Sequence, residues 1–408
     1  MIDPKRTTPS ILCYWHDMWI PHSQYFVAAL RSWDNVGALT ICGPAHRHGA
    51  ASIYTVSESL PTDTPCGADE IRTKSYWWME TTTTFQEWRK LIRERRPEIL
   101  VICDEALSLN VLLAGIANRL YGNGVVLFYG FENLVQKPNW KELVANPTFG
   151  VLRKTIRKLI KATIIDRLFM PLRRRVVHGG LVSYEKCADV VRSYHWNPLM
   201  ETHWWPVNEL AFTPSGPKKD FSLCAQFIIG FVGRFVPEKG ILDLLKAVAT
   251  LDKHIGVVLI GAGPQEAEIR RELDRLQISD RALILPPQGP YSLATCYRAI
   301  NLLVLPSRST PNWEEQYGRV LMEARLCGTP VAGSNSGAIP VVVGNSKLIF
   351  PEGDIGGIAE IIQRAAIMPR PVACISQVAN LKSFLNAWLA LANRCRQANA
   401  SVLLETDR

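Results

Sequence analysis

Short apolar runs alternate with amphipathic stretches along the whole chain, a rhythm that predicts a layered α/β protein built on parallel sheets. In the first half the apolar runs at 11–14, 37–41, 99–103 and 125–129 read as buried strands, with a helix over 85–95 before the third. The second half repeats the logic, with strands at 227–233, 257–261, 282–285, 302–305, 330–333 and 348–350 and helices such as 241–251 between them. Two Rossmann-like domains follow, with a ligand cleft expected between them where the carboxyl ends of both sheets face each other.

The polar stretch 207–220, which carries Pro214, Gly216 and Pro217, reads as the linker. It divides an N-terminal domain, 1–206, from a second domain, 207–375. A last apolar helix lies within 376–408 and is expected to cross back to the first domain. The length of 408 residues suits two domains, and 47% apolar with 20% charged residues is ordinary globular composition. Ten scattered cysteines include no CxxC pair, so they read as reduced, small apolar residues, and no metal site is predicted. No run of about 18 apolar residues occurs, which predicts a cytoplasmic protein.

Charge changes this picture at one place. The net charge is +9, and residues 151–175 hold nine cations against Asp166 alone. At ~100° per residue, Val151, Leu152, Ile156, Leu159, Ile160 and Ile164 lie opposite Arg153, Lys154, Arg157, Lys158 and Lys161. Such a basic amphipathic segment suits an anionic membrane surface, giving peripheral attachment at the inner face, or else packs on its own domain. Charge this local argues against a nucleic-acid partner.

The candidate chemistry lies in the second half. Phe231-Val-Gly-Arg-Phe-Val-Pro-Glu-Lys-Gly240 follows a strand and opens a helix. Gly233 and the helix amides can approach an anion there, while Arg234 and Lys239 supply positive charge, so a diphosphate fits. Downstream, Glu315-Gln-Tyr-Gly-Arg-Val-Leu-Met-Glu323 places two carboxylates eight residues apart around Gly318. With one in the loop and one within the helix they are separated by roughly 10 Å, which suits the two ends of a sugar nucleotide.

These segments, taken in order with Gly261-Ala-Gly-Pro264, Pro306-Ser307, Glu323-Ala-Arg-Leu-Cys-Gly-Thr-Pro330, Gly333-Ser-Asn-Ser-Gly-Ala-Ile-Pro340 and Phe350-Pro-Glu-Gly-Asp354, resemble the family 4 glycosyltransferases of GT-B fold. The resemblance implies a retaining, metal-independent sugar transfer from a nucleotide-diphosphate sugar to a glycan or lipid-linked acceptor, with no bound cofactor. It implies Arg234 and Lys239 on the diphosphate, Glu315 on the transferred sugar, Glu323 on the ribose, and the amides of Tyr317 and Gly318 at the phosphate and sugar. One departure is Val341, where the family usually has an acid.

The N-terminal half resembles the family more loosely. Asp104-Glu105-Ala-Leu-Ser108 and Phe128-Tyr-Gly-Phe-Glu-Asn133 look like strand-end segments lining the acceptor side, with Glu132 and Asn133 where many relatives place a histidine. For Asp104 and Glu132, buried hydrogen-bonding roles stand beside functional ones. In the first loop His16 and His22 could bind acceptor hydroxyls, with a structural position favoured for each, and Trp15, Trp19 and Tyr25 either stack on sugar rings or pack beneath the loop. Two other readings remain: a sugar-nucleotide epimerase on the same fold, and a non-catalytic sugar-nucleotide-binding module. A nicotinamide-dependent dehydrogenase is disfavoured, because neither half's first strand is followed by GxGxxG with an acid about 20 residues on.

Overall fold

The structure is a computed structural model that describes residues 8–15, 37–44, 68–73, 75–76, 79–135, 168–367 and 380–406, together with Phe26, Leu30, Val144, Thr148, Leu152, Thr155 and Ile156. The described residues fall into two compact units, one made of residues 8–205 with 380–406 and the other of residues 206–367.

The first unit holds β1 (Ser10–Trp15), β2 (Ala38–Pro44), β3 (Ala68–Thr73), β4 (Ser75–Tyr76), β5 (Met79–Thr83), β6 (Ile99–Cys103), β7 (Val125–Gly130), β8 (Gly179–Val182) and β9 (Leu199–Thr202). Its helices are α1 (Phe85–Arg95), α2 (Leu109–Tyr121), α3 (Met170–Val176), α4 (Glu185–Arg192) and the last helix of the chain, α11 (Leu381–Thr406). Seven strands make one parallel sheet in the order β3-β2-β1-β6-β7-β8-β9, and β4 pairs with β5 as a separate antiparallel ribbon.

Every residue of β1, β6 and β7 is buried, as expected of strands covered on both faces. Thr84 caps α1 by accepting the Glu87 N–H, and Ser108 caps α2 by accepting the Val111 N–H. Each cap satisfies a donor the helix leaves free and contributes about 1 kcal/mol. On one face of the sheet, Leu381, Phe384, Leu385, Trp388, Leu391 and Cys395 of α11 join the core formed by Cys13, Trp15, Val101, Leu127 and Leu181.

The second unit holds β10 (Phe227–Val232), β11 (Ile255–Ile260), β12 (Ala282–Leu285), β13 (Leu302–Leu305), β14 (Val331–Ser334) and β15 (Ile349–Phe350), all parallel, in the order β12-β11-β10-β13-β14-β15. Around them lie α5 (Ile241–Ala249), α6 (Glu266–Arg275), α7 (Pro290–Ala299), α8 (Arg319–Leu326), α9 (Ile339–Val343) and α10 (Ile355–Ile367). The chain adds strands outward on one side from β10 and on the other from β13. The order therefore reverses between these two strands, and the loops that follow them diverge and leave a crevice at their carboxyl ends.

Three expectations need correction. The 207–220 stretch is no free linker: Val207, Ala211 and Phe212 are buried, and Arg298 of α7 donates to the carbonyls of Thr213 and Pro217, so the stretch belongs to the surface of the second unit. Arg173, one of the nine cations counted over 151–175, is buried in α3 and so is not available to an outside anion; it donates to the carbonyls of Ala106, Leu107 and Ser108. Trp15 ends β1 instead of opening the loop, and of its two readings it takes packing, edge-on against Phe26 with ring centroids 5.3 Å apart. The cations Arg153, Lys154, Arg157, Lys158, Lys161 and Arg167 lie outside the described residues, as do His16 and His22.

Candidate active site

Lys239 ends the short turn Pro237–Lys239 after β10, and Ser307 follows β13, so both stand at the point where the strand order of the second sheet reverses. Gly240 brings the two loops together. Its φ is +65°, and a Cβ there would lie 1.9 Å from the Pro306 carbonyl oxygen, so no larger residue fits between the loops. Lys239 Nζ consequently reaches Glu315 Oε2 at 2.6 Å. Ser307 Oγ donates to the same oxygen at 3.0 Å, and the Gly318 N–H donates to Oε1 at 3.2 Å. The backbone of Glu315 is fixed as well, because its carbonyl accepts the Ala338 N–H at 2.9 Å and its own N–H points to Ser336 Oγ at 3.4 Å. Only 13% of the lysine side chain and 10% of the glutamate side chain is exposed, so the pair is largely shielded from competing water.

Gly318, at φ +68°, starts α8, which carries Glu323. Tyr297 Oη of α7 donates to Glu323 Oε2 at 2.9 Å, and Arg319 Nε lies 3.2 Å from Oε1. Burial raises the Glu323 carboxyl above its usual range, while the Arg319 charge and the Tyr297 hydroxyl pull it back down. Burial likewise raises the Tyr317 hydroxyl, which stays neutral at physiological pH. Gly233 closes β10, and its carbonyl sits where a Cβ on Gly261 would come within 1.9 Å, which packs the ends of β10 and β11 tightly. Arg234 is the loosest member of the set: it lies 4.0 Å from Glu238, with 38% of its side chain exposed. The structure thus gathers Lys239, Glu315 and Gly318 into one contact and holds Glu323 in a second, while Arg234 stands apart with room to move.

Ser307 and Arg319 lay within segments marked from the sequence, Pro306-Ser307 and Glu315 to Glu323, but carried no assigned role. Tyr297 gave no advance signal, since a tyrosine on a helix is common.

In the first unit, Asp104 is committed to structure: Oδ1 accepts the Glu105 N–H at 2.8 Å, and Oδ2 accepts from Asn110 Nδ2 at 2.8 Å. Next to it the half-buried Glu105 accepts the Phe131 N–H at 3.1 Å and so ties the end of β6 to the end of β7. Burial first, and the neighbouring Glu132 charge second, hold its carboxyl well above the usual carboxylate range. Asn133 is buried and donates to Tyr184 Oη at 2.8 Å, and Glu132 is half-buried beside it. Of the residues expected on the acceptor side, Asp104, Glu132 and Asn133 therefore cluster at the carboxyl ends of β6 and β7.

Two units, each a parallel sheet wrapped by helices and the second with a cation–carboxylate pair at its switch point, define a protein of the GT-B class. Residues 219–376, under half of the chain, match the family described as Glycosyl transferases group 1. The D-inositol 3-phosphate glycosyltransferase of Mycolicibacterium smegmatis is 39% identical over 172 residues, covering 40% of this chain and 37% of that protein. The chain thus matches well under half the length of this relative. Over nearly the whole chain the likeness is one of fold. A glycosyltransferase from Rickettsia africae superposes with TM-score 0.66 and 13% identity, covering 95% of this chain and 98% of the other. Anabaena Alr3699/HepE in complex with UDP superposes with TM-score 0.60 and 13% identity, covering 96% and 100%. Its complex with UDP-glucose superposes with TM-score 0.56 at 14% identity, covering 96% and 99%.

Proposed function

We propose that this protein is a retaining glycosyltransferase that moves a sugar from a nucleotide-diphosphate sugar to a glycan or lipid-linked acceptor. The observation that carries this reading is the Lys239–Glu315 contact at the switch point of the second sheet, backed by Ser307 and the Gly318 amide. The UDP and UDP-glucose named with the Anabaena neighbour support a sugar nucleotide as donor.

The chemistry follows from charge. Breaking the bond between the anomeric carbon and the diphosphate leaves negative charge on the departing phosphate, and cations already in place stabilise that charge as it develops. Lys239 and Arg234 supply it, with the amides of Tyr317 and Gly318 assisting, and no metal is required in this scheme. Glu315 accepts hydroxyls of the transferred sugar, and Glu323 accepts the ribose diol. The acceptor hydroxyl attacks the anomeric carbon from the face the diphosphate leaves, and its proton passes to the leaving phosphate oxygen, so the donor configuration is kept without a protein nucleophile.

On the first unit, Glu132 and Asn133 bound the acceptor side, and His16, which lies outside the described residues, would serve the same acceptor. Segment 151–175 would bring the enzyme to an anionic bilayer carrying its acceptor. Leu152, Ile156, Leu168 and Phe169 support this part of the proposal, since all four are exposed apolar side chains.

Turnover of a panel of nucleotide sugars, with EDTA present and with neutral or anionic vesicles added, tests the whole reading. One donor should turn over despite the chelator, Lys239→Ala and Glu315→Ala should each lower the rate at least about 100-fold, as loss of a preorganised transition-state contact does, and anionic vesicles alone should raise it. Unchanged turnover in both variants would overturn the site. Nucleotide binding with no turnover under any condition would move the non-catalytic binding module ahead.

A further inference from the structure

The loop that follows β13 is fastened more firmly than an exposed connection needs to be. Arg308 meets both carboxylate oxygens of Asp243, at 2.6 and 2.7 Å, and its N–H donates to the Glu238 carbonyl at 2.8 Å. Ser309 donates from its N–H and its hydroxyl to Glu352, at 2.6 and 2.5 Å, and its Oγ lies 2.9 Å from Ser336 Oγ. Thr310 and Trp313 then close an antiparallel bridge on each other through N–H contacts of 2.7 and 3.3 Å. What this construction presents is an indole ring whose centroid lies 5.0 Å from Lys239 Nζ.

Glu238 and Asp243 flank Lys239 in the chain, so Arg308 fastens the loop to the same element that carries the lysine. The ammonium is then held from two directions, by the Glu315 carboxylate and by the ring face of Trp313. These holds differ in kind. A diphosphate arriving at Lys239 competes with the Glu315 carboxylate for the ammonium, because both are anions. The indole is neutral, attracts the cation through its quadrupole, and leaves the ammonium's donors free for phosphate. A lysine stem has many rotamers and loses considerable entropy on ordering, so a neutral hold that persists when the anion changes keeps that ordering out of the binding step.

We infer that Trp313 is a positioning residue that holds Lys239 where the donor diphosphate binds, with residues 308–313 as the scaffold that presents it. The inference rests on the reading that Lys239 meets a nucleoside diphosphate.

A double-mutant cycle tests it. UDP and GDP affinities are measured by calorimetry for the wild type, Trp313→Leu, Lys239→Met and the double variant, with Trp313→Phe as the conservative control. Trp313→Leu should weaken binding about tenfold, the order expected for loss of a shielded cation–π contact. In the Lys239→Met background the same change should have no further effect, and Trp313→Phe should recover part of the loss. Additive losses, or a phenylalanine variant no better than leucine, would overturn the proposal.

A second readout needs no nucleotide. Acetylation of unliganded Lys239 by acetic anhydride, followed by peptide mass spectrometry, should quicken in Trp313→Leu while exposed lysines such as Lys253 label at the wild-type rate. Unchanged Lys239 labelling overturns the contact itself. Faster labelling in a protein whose wild type binds neither nucleotide would instead sink the sugar-nucleotide reading and leave the hold on Lys239 standing. If Trp313→Leu does not fold, the comparison of Trp313→Phe with wild type carries the same two readouts.

Discussion

The proposed role of Glu323, accepting both hydroxyls of a ribose diol, calls for its ionised form, whereas burial favours its protonated form. The groups that face it are Tyr297 from α7, Arg319 from its own helix, and Tyr317 and Cys327 at the two ends of that helix. Only Arg319 brings a positive charge. Donor affinity should therefore fall away on the acid side at a pH above the ordinary carboxylate range. Replacing Arg319 by Gln removes the charge that favours the carboxylate, which raises its pKa further, so the acid limb of a plot of UDP affinity against pH should move upward. A limb that stays put or moves down would show that Glu323 does not titrate in donor binding.

At this scale Lys239, Glu315, Glu323 and Ser307 were marked in the sequence by short segments, but the contact between Lys239 and Glu315 and the place of Ser307 beside it were not. These contacts, like those of Tyr297 and Trp313, arise only through the parallel crossovers of the sheet, which put residues far apart in sequence side by side. Asp104 and Glu105 make the same point within a single segment: both are half-buried, and it is the fold that turns one toward the Phe131 N–H after β7 and the other toward Asn110.

Among the elements, those with the plainest apolar runs were the most legible. β6, β12, β13 and α1 occupy the residues the pattern marks: β6 and β13 are short, buried apolar runs, β12 is a half-buried one, and α1 turns Trp88, Leu91 and Ile92 inward. β8 was missed for a physical reason. It opens with Gly179 and Gly180, which weaken a strand signal, and Gly180 is required because a Cβ there would lie 2.5 Å from the Phe128 ring. β9 sits at the sheet edge with a half-exposed, mixed sequence, and α2 is apolar nearly all round, so neither shows a clean period.

α11 supplies the sharpest test at this level. Trp388 and Phe384 are buried in the first sheet's core although they come from the far end of the chain. Trp388→Ala should cost about 3–5 kcal/mol, the usual range for removing a large buried aromatic. The loss should be local to the first unit. Hydrogen exchange should show β1, β6 and β7 losing protection while β10, β11 and β13 keep theirs, and equal loss in both sheets would contradict the division into two units.

For the molecule as a whole, the fold follows from two rounds of the same α/β alternation, and the glycosyl transferases group 1 segment lies within the second. Among the described residues no helix is long and apolar enough to cross a membrane. The net charge of +9 said little by itself, because cations in this chain serve different ends: Arg173 braces a loop from within the core, Arg308 fastens another, and Lys239 waits at the switch point of a sheet.

The central claim is that Lys239 and Glu315 carry a sugar transfer that retains configuration. The most direct measurement is proton NMR of the anomeric signal during turnover of an α-linked nucleotide sugar, run in parallel on wild type, Lys239→Met and Glu315→Gln. The first product to appear should be the α-anomer, and each variant should slow its appearance by about 100-fold. A β-anomer appearing first, or an α-product formed at the wild-type rate by either variant, would contradict it.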